Sequence, residues 1–365
     1  MQKTSYLFAG VCLLSASLTV SAHESMPSSS DLSLPKIMNG EKALKDLLPW
    51  QVMVYGKKEG TLCGGSVIAD KWIVTAGHCV TDFTEAGNKA PLLSPGDLVF
   101  AGTTNPHTAL GYLDERKAVK IKQLIVHDKY FAISFENDIA LIEVDSSLYA
   151  KGSKRIVLAN TKEMQADIDR SFKQHYVANQ NSKATVIASG WGLYGSKTGM
   201  PDDLQVVKLA GIPDDQCKAN KYPAEHFVCA DSNRIDVKKD VCRGDSGGPL
   251  IWQDPSHTAD SDKGLRLIGA TSNGPLCSEK HHDRAIGNGL YTQISHHYQW
   301  IKDQTQLDFE KLPLPAYQYD PFKVVKDTPS VKPDPKKPDP EGNGGSIAFF
   351  SSLLLAIAAW RRRNF

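Results

Sequence analysis

From Trp50 onward, short apolar stretches alternate with Gly, Asn, Asp and Pro, and this punctuation restricts the chain to folds built from many short strands. The stretches are Gln51–Tyr55, Gly65–Ile68, Trp72–Thr75, Leu98–Ala101, Val119–Val126, Asp138–Val144 and Ala184–Ser189. An all-β sandwich or barrel follows from that pattern. One helix is expected late in the chain. Ser295–Gln306 carries Tyr298, Trp300, Ile301 and Gln304 among polar neighbours, and would pack an apolar edge on the strands.

The two ends read differently. Residues 1–22 have the form of an export signal: Lys3, a mostly apolar run from Leu7 to Val20, then the small residues Val20-Ser21-Ala22. Residues 23–36 are polar and rich in Ser and Pro, as in a short disordered leader. After residue 306 the composition shifts again. Eight prolines lie between Lys311 and Pro340, so residues 307–343 are expected to form an extended, semi-rigid linker. Residues 344–365 combine Gly344-Gly345, the apolar run Ile347 to Trp360, and Arg361-Arg362-Arg363. That run would span about 21 Å as a helix against about 30 Å of hydrocarbon. The tail resembles the bacterial GlyGly-type sorting signal, which implies transient anchoring and removal by a sorting protease. A permanent membrane anchor is the competing reading, and in either case the arginines would stay cytoplasmic with the remainder outside. The product is expected to be secreted or held at the cell surface.

Among 365 residues, 42 Lys and Arg oppose 41 Asp and Glu, for a net charge of +1. No global field exists to recruit nucleic acid or a membrane surface, so function must reside in local sites. Cys12 would leave with the signal, and Cys63, Cys79, Cys217, Cys229, Cys242 and Cys277 remain. An even number in an exported chain favours disulfides, although six cysteines permit 15 pairings. No close Cys-x-x-Cys spacing points to a metal. No cofactor is expected.

Gly244-Asp245-Ser246-Gly247-Gly248-Pro249 is the most informative local motif. A serine hydroxyl is a poor nucleophile at neutral pH and needs an adjacent base. Flanking glycines permit a tight turn and free the amides of Gly244 and Ser246 to face a developing oxyanion. Two other contexts join it. Thr75-Ala76-Gly77-His78-Cys79 follows the apolar run Trp72-Ile73-Val74, so His78 sits at a strand end beside a cysteine. Phe135-Glu136-Asn137-Asp138-Ile139-Ala140-Leu141 places Asp138 at the entrance to an apolar strand. Alone, each is ordinary. Together, the order His, Asp, Ser in these contexts is specific.

From about Ile37 to Gln304 the chain resembles the chymotrypsin/trypsin family of serine endopeptidases. The resemblance implies two six-stranded antiparallel β-barrels with a C-terminal helix over residues 37–306, and a site in the cleft between barrels. It assigns His78, Asp138 and Ser246 as base, orienting carboxylate and nucleophile, and the Gly244 and Ser246 amides as oxyanion donors. It pairs Cys63 with Cys79, Cys217 with Cys229 and Cys242 with Cys277. It makes residues 23–36 an activation propeptide, cut after Lys36 by an activating protease, with the new Ile37 ammonium pairing with Asp245. Lys36-Ile37-Met38-Asn39-Gly40 departs from the usual Ile-Val-Gly-Gly at Met38 and Asn39, although Asn tolerates positive φ. Asp240 would sit at the base of the specificity pocket, with Ser272, Gly274 and Gly289 lining it, so polypeptides carrying Arg or Lys at the cleaved bond are the expected substrates. Ser272-Asn273-Gly274 lacks the family's usual tryptophan, and Ser278 to Asn288 is a long stretch carrying His281-His282. Gly77 stands where Ala is commoner, with a small effect expected.

Overall fold

Six of the apolar runs close into one barrel. The strands are β1 (Gln51–Tyr55), β2 (Leu62–Ala69), β3 (Trp72–Thr75), β4 (Leu98–Ala101), β5 (Ala118–Val126) and β6 (Ala140–Val144). They pair antiparallel in the order β1-β2-β3-β6-β5-β4, with β4 returning to β1. Along β5 the buried Val119 and Ile121 alternate with exposed Lys120 and Lys122, the period of a strand with one wet face. In β2 nearly every side chain is buried, so its sequence reads as a continuous apolar run. Val52, Val67, Ile73, Val99 and Ile142 fill this interior.

The computed structural model describes residues 37–83, 89–192, 202–217, 224–274 and 288–327. The expected signal, leader and sorting tail lie outside these residues, as do Cys12, Lys36, Cys277 and His281-His282. No helix among the described residues is long and apolar enough to cross a membrane.

A second barrel uses β7 (Val186–Gly190), β8 (Gln205–Ile212), β9 (Phe227–Asp231), β10 (Pro249–Gln253), β11 (Leu265–Asn273) and β12 (Gly289–Gln293). The antiparallel order is β8-β7-β10-β11-β12-β9, and β9 pairs back onto β8. Two closed six-stranded barrels result, as the resemblance implied. Closure leaves no long unpaired edge to seed aggregation. Val207, Leu209, Val228, Ile268 and Tyr291 are among its interior residues.

Four helices are described: α1 (Gly77–Val80), α2 (Lys162–His175), α3 (Ile294–Thr305) and α4 (Pro321–Val324). α3 is the helix read from the sequence, shifted by one residue. α2 was not expected. Its Thr161 hydroxyl caps the first turn by accepting from the Met164 amide, and Ile168 and Phe172 bury a narrow face. Two apolar residues four apart, among charged neighbours, make too thin a stripe to be read as a helix.

Residues 307–327 correct the expected linker. They do not extend away as a spacer but form a strap packed on the barrels, with Phe309, Tyr317 and Val325 buried. The Tyr317 ring meets Trp50 edge-on with centroids 4.8 Å apart, and its hydroxyl donates to the Arg155 carbonyl at 2.8 Å. The Arg155 guanidinium donates to the carbonyls of Leu312 (3.0 Å) and Pro313 (3.0 Å). Proline removes amide donors but leaves carbonyls that need partners, and a buried cation supplies them. Tyr317→Ala should therefore lower unfolding free energy by about 3–5 kcal/mol in chemical denaturation. A loss below about 1 kcal/mol would mean the strap is not part of the core.

A candidate active site at the barrel junction

α1 is a single turn immediately after β3, tied back to β2 by the Cys63–Cys79 disulfide. It presents His78 with its side chain about one quarter exposed. Asp138 precedes β6 and is wholly buried. Phe135 and Asn137 take left-handed backbone (φ 55° and 52°), which turns the chain sharply into Asp138. The carboxylate then receives His78 twice: the backbone amide donates to Oδ1 at 2.8 Å, and ring Nδ1 lies 2.8 Å from Oδ2. The Phe135 ring stands edge-on to the imidazole, centroids 5.7 Å apart.

The second barrel completes this cluster. Ser272 on β11 donates through Oγ to Asp138 Oδ2 at 2.6 Å, and Thr292 on β12 donates to the Asp138 carbonyl at 2.8 Å. Ser272, expected to line the substrate pocket, has its hydroxyl on the carboxylate. Thr292 carried no sequence signal, because it reaches Asp138 only through the packing of one barrel on the other.

The Ser246 turn docks at the same place. The Ser246 carbonyl accepts from the Gly64 amide at 2.7 Å and lies 3.5 Å from Cys79 Sγ. Gly247 has φ 76°, and its amide donates to the Thr271 carbonyl at 2.7 Å. A Cβ there would fall 2.1 Å from Thr75 Oγ1 and 2.8 Å from the Ala76 nitrogen. Only glycine allows the turn to lie this close to the strand end that bears His78. Gly77 is similarly confined: a methyl would meet the Tyr130 ring at 3.1 Å and Asp138 Oδ1 at 3.3 Å.

Electrostatics separates three acids, two of them wholly buried and Asp240 partly so. Burial opposes ionisation of Asp138, but the His78 charge and the hydrogen bonds from His78 and Ser272 hold it below the ordinary carboxylate range. Burial would lower the His78 pKa, yet the Asp138 charge and hydrogen bond raise it above the ordinary 6.5. Asp245 is wholly buried and accepts from the amides of Gly192 (2.7 Å) and Cys242 (2.7 Å); burial still pushes it up to about 7. Asp240 is pushed up to about 8 by burial, with repulsion from Asp231 and Asp245 adding to it, while the Val241 amide bond opposes the shift. Among the described residues no cationic side chain forms an ion pair with Asp240 or Asp245.

Asp240, Gly274 and Gly289 adjoin one another. A Cβ on Gly289 would lie 3.5 Å from Asp240 Oδ1, and one on Gly274 would lie 3.3 Å from the Gly289 Cα. The start of the described chain is beside them. Ile37 is wholly buried, and the Met38 amide donates to the Asp240 carbonyl at 3.1 Å. Asn39 takes φ 53°, and its Nδ2 donates to the Lys238 carbonyl at 2.5 Å, so this departure from glycine fits and adds a contact. Cys217–Cys229 is formed, and Cys242 is disulfide-bonded. Among the described residues no group of three or more His, Cys, Asp or Glu side chains could hold a metal ion.

Two closed barrels that share a His–Asp pair and a glycine-bound serine turn at their junction define the double-barrel class of protein. The chain belongs to the trypsin family, whose model, described as Trypsin, matches residues 37–301. It is 28% identical over 288 residues to human mannan-binding lectin serine protease 1, covering 77% of this chain and 37% of that protein. It is 28% identical to mouse transmembrane protease serine 11G, over 75% of this chain and 56% of that protein. Human transmembrane protease serine 5 is 29% identical over 74% of this chain and 52% of its own length. The chain therefore spans between about a third and somewhat over half the length of these relatives.

The charge balance at His78 gives a direct expectation. Its imidazole should titrate with a midpoint above 6.5, and Asp138→Asn, which leaves burial opposed only by the weaker Asp82 charge, should bring the midpoint below 6.5. Nuclear magnetic resonance of the labelled ring measures both. An unchanged midpoint in Asp138→Asn would show that the carboxylate does not set the base.

Proposed function

We propose that this chain is a serine endopeptidase, exported as a zymogen, that hydrolyses peptide bonds after Arg or Lys. One observation carries the reading: the His78–Asp138 pair and the Ser246 turn meet at the barrel junction, with Gly247 pressed against Thr75 and Ala76. With roles carried over from the family, Ser246 Oγ attacks the scissile carbonyl while His78 Nε2 takes its proton. Asp138, held ionised by its donors, stabilises the imidazolium and fixes the ring by its bond to Nδ1. The amides of Gly244 and Ser246 hold the oxyanion, each such donor contributing about 3 kcal/mol. His78 then returns the proton to the leaving amine as the C–N bond breaks. Water, activated by the same imidazole, releases the acyl group from Ser246.

Specificity and activation follow one rule in this reading: each under-partnered acid awaits a cation. Asp240, facing the side-chain-free Gly274 and Gly289, takes a substrate Arg or Lys. Asp245 takes the Ile37 ammonium released when an activating protease cuts after Lys36. The apolar N-terminal run and the disulfides support export to an oxidising compartment, where polypeptides are the partners. The Gly-Gly, apolar and Arg tail supports a sorting protease as a further partner, with transient or permanent membrane anchoring.

The test is a substrate panel. Protein cut between Lys36 and Ile37 is assayed on matched peptides ending in Arg, Lys, Phe or Ala at the scissile bond. Turnover should occur after Arg and Lys alone, and Ser246→Ala should fold normally without turnover. Asp240→Ser should reduce kcat/KM on the Arg peptide by about two to three orders of magnitude. Turnover after Phe but not Arg would overturn the pocket assignment. No turnover by the cut, folded chain would instead favour a binding protein built on this fold.

A further inference from the structure

Lys239, the residue immediately before the pocket acid Asp240, has a side chain only 2% exposed. Lysine is seldom buried so completely, because its ammonium must then find partners inside the protein. Its partners come from two places. Nζ donates to Asn233 Oδ1 at 2.9 Å and to the backbone carbonyl of Asp327 at 2.5 Å, and the Asp327 carboxylate lies 3.7 Å away. Asn233 is itself wholly buried, and its Nδ2 donates to Asp327 Oδ1 at 3.0 Å, closing a three-residue ring. Asp327 lies at the far end of the strap that follows α3 and contains α4.

The segment 238–240 is thus gripped on two sides. Met38 and Asn39 of the activation segment bind the carbonyls of Asp240 and Lys238. The strap grips Lys239 between them, and it also touches the activation segment directly, since the Lys326 amide donates to Glu41 Oε1 at 3.1 Å. Upstream, the Lys208 ammonium donates to the Phe322 carbonyl at 2.7 Å, and the buried Val325 seats the strap beside it.

We propose that Asp327 is a positioning residue for the specificity pocket, acting through Lys239 to hold Asp240 in place for a basic side chain. The inference rests on the pocket reading given above. The Lys239 ammonium reaches Asn233 and the strap while Asp240 Oδ1 lies beside Gly289, so the two neighbouring side chains diverge and the anchored Lys239 fixes the backbone from which Asp240 projects. Without the Asp327 side chain the ammonium would lose its counter-charge, keeping only the Asn233 oxygen and the backbone carbonyl of residue 327, and would be drawn towards water. Movement of Lys239 would carry Asp240 with it. The strap would then be a working part of the specificity pocket, although it follows the nucleophile by much of a barrel in sequence.

The test uses the full chain, cut after Lys36, with benzamidine as a cationic probe of the pocket and a small organophosphate as a probe of Ser246 that ignores the pocket. Asp327→Ala should raise the benzamidine Kd and the KM for an Arg peptide about tenfold, with organophosphate acylation within about twofold of the parent. Asp327→Asn, which retains the amide-bonding shape without the charge, should fall between them. Adding Lys239→Met to Asp327→Ala removes the stranded ammonium and should recover part of the loss. Unchanged benzamidine binding in Asp327→Ala, beside normal binding by the parent, would overturn the positioning role. An equal fall in benzamidine binding and acylation would also overturn it, since that is the mark of general unfolding. A parent chain that is acylated but does not bind benzamidine would overturn the pocket reading itself.

Discussion

The buried carboxylate of Asp138 is the interaction on which the remainder of the site depends. A wholly buried carboxylate is strongly unfavourable unless donors surround it. Here the carboxylate's donors come from both barrels, the His78 amide and ring from the first and Ser272 from the second, while Thr292 of the second barrel holds the Asp138 backbone carbonyl. That one cluster aligns the barrels, orients the imidazole and keeps the acid ionised. The Ser246 turn then needs only to dock against Thr75 and Ala76, which Gly247 permits by having no side chain.

Three acids of the site are shifted in opposite directions because their partners differ. Asp138 has its donors in place and is held low; Asp240 and Asp245 have amides but no cation among the described residues, and are pushed up. In the proposed cycle, the chain's own new terminus satisfies Asp245 and the substrate satisfies Asp240. Activation and specificity are then the same electrostatic demand met by two different cations. Lys239 is the converse case, a buried cation already provided with an acid by the strap.

Much of this was legible because the chemistry sits in contiguous motifs. His78, Asp138 and Ser246 each lie in a short context that also sets local backbone, and the strand runs bracket them. Asn39 was readable as a tolerated departure, since asparagine accepts the φ of 53° that it adopts. What was not legible depends on packing between distant segments. Ser272 and Thr292 are ordinary strand residues until β11 and β12 are laid against Asp138. The strap was hidden for another reason: its prolines dominate the composition, while the aromatic anchors Phe309 and Tyr317, and the Arg155 that caps its carbonyls, act only in three dimensions. α2 was missed because two buried residues carry it.

In the proposed function, Ser246 becomes a nucleophile through His78 and Asp138 once the chain is cut before Ile37. Peptide mapping by mass spectrometry, after a fluorophosphonate is added to cut and uncut protein, measures this at one atom. A single adduct on the Ser246 peptide is predicted in the cut chain, much reduced in the uncut chain and in His78→Ala. An adduct on another serine, or none in a cut chain that retains its fold, would contradict it.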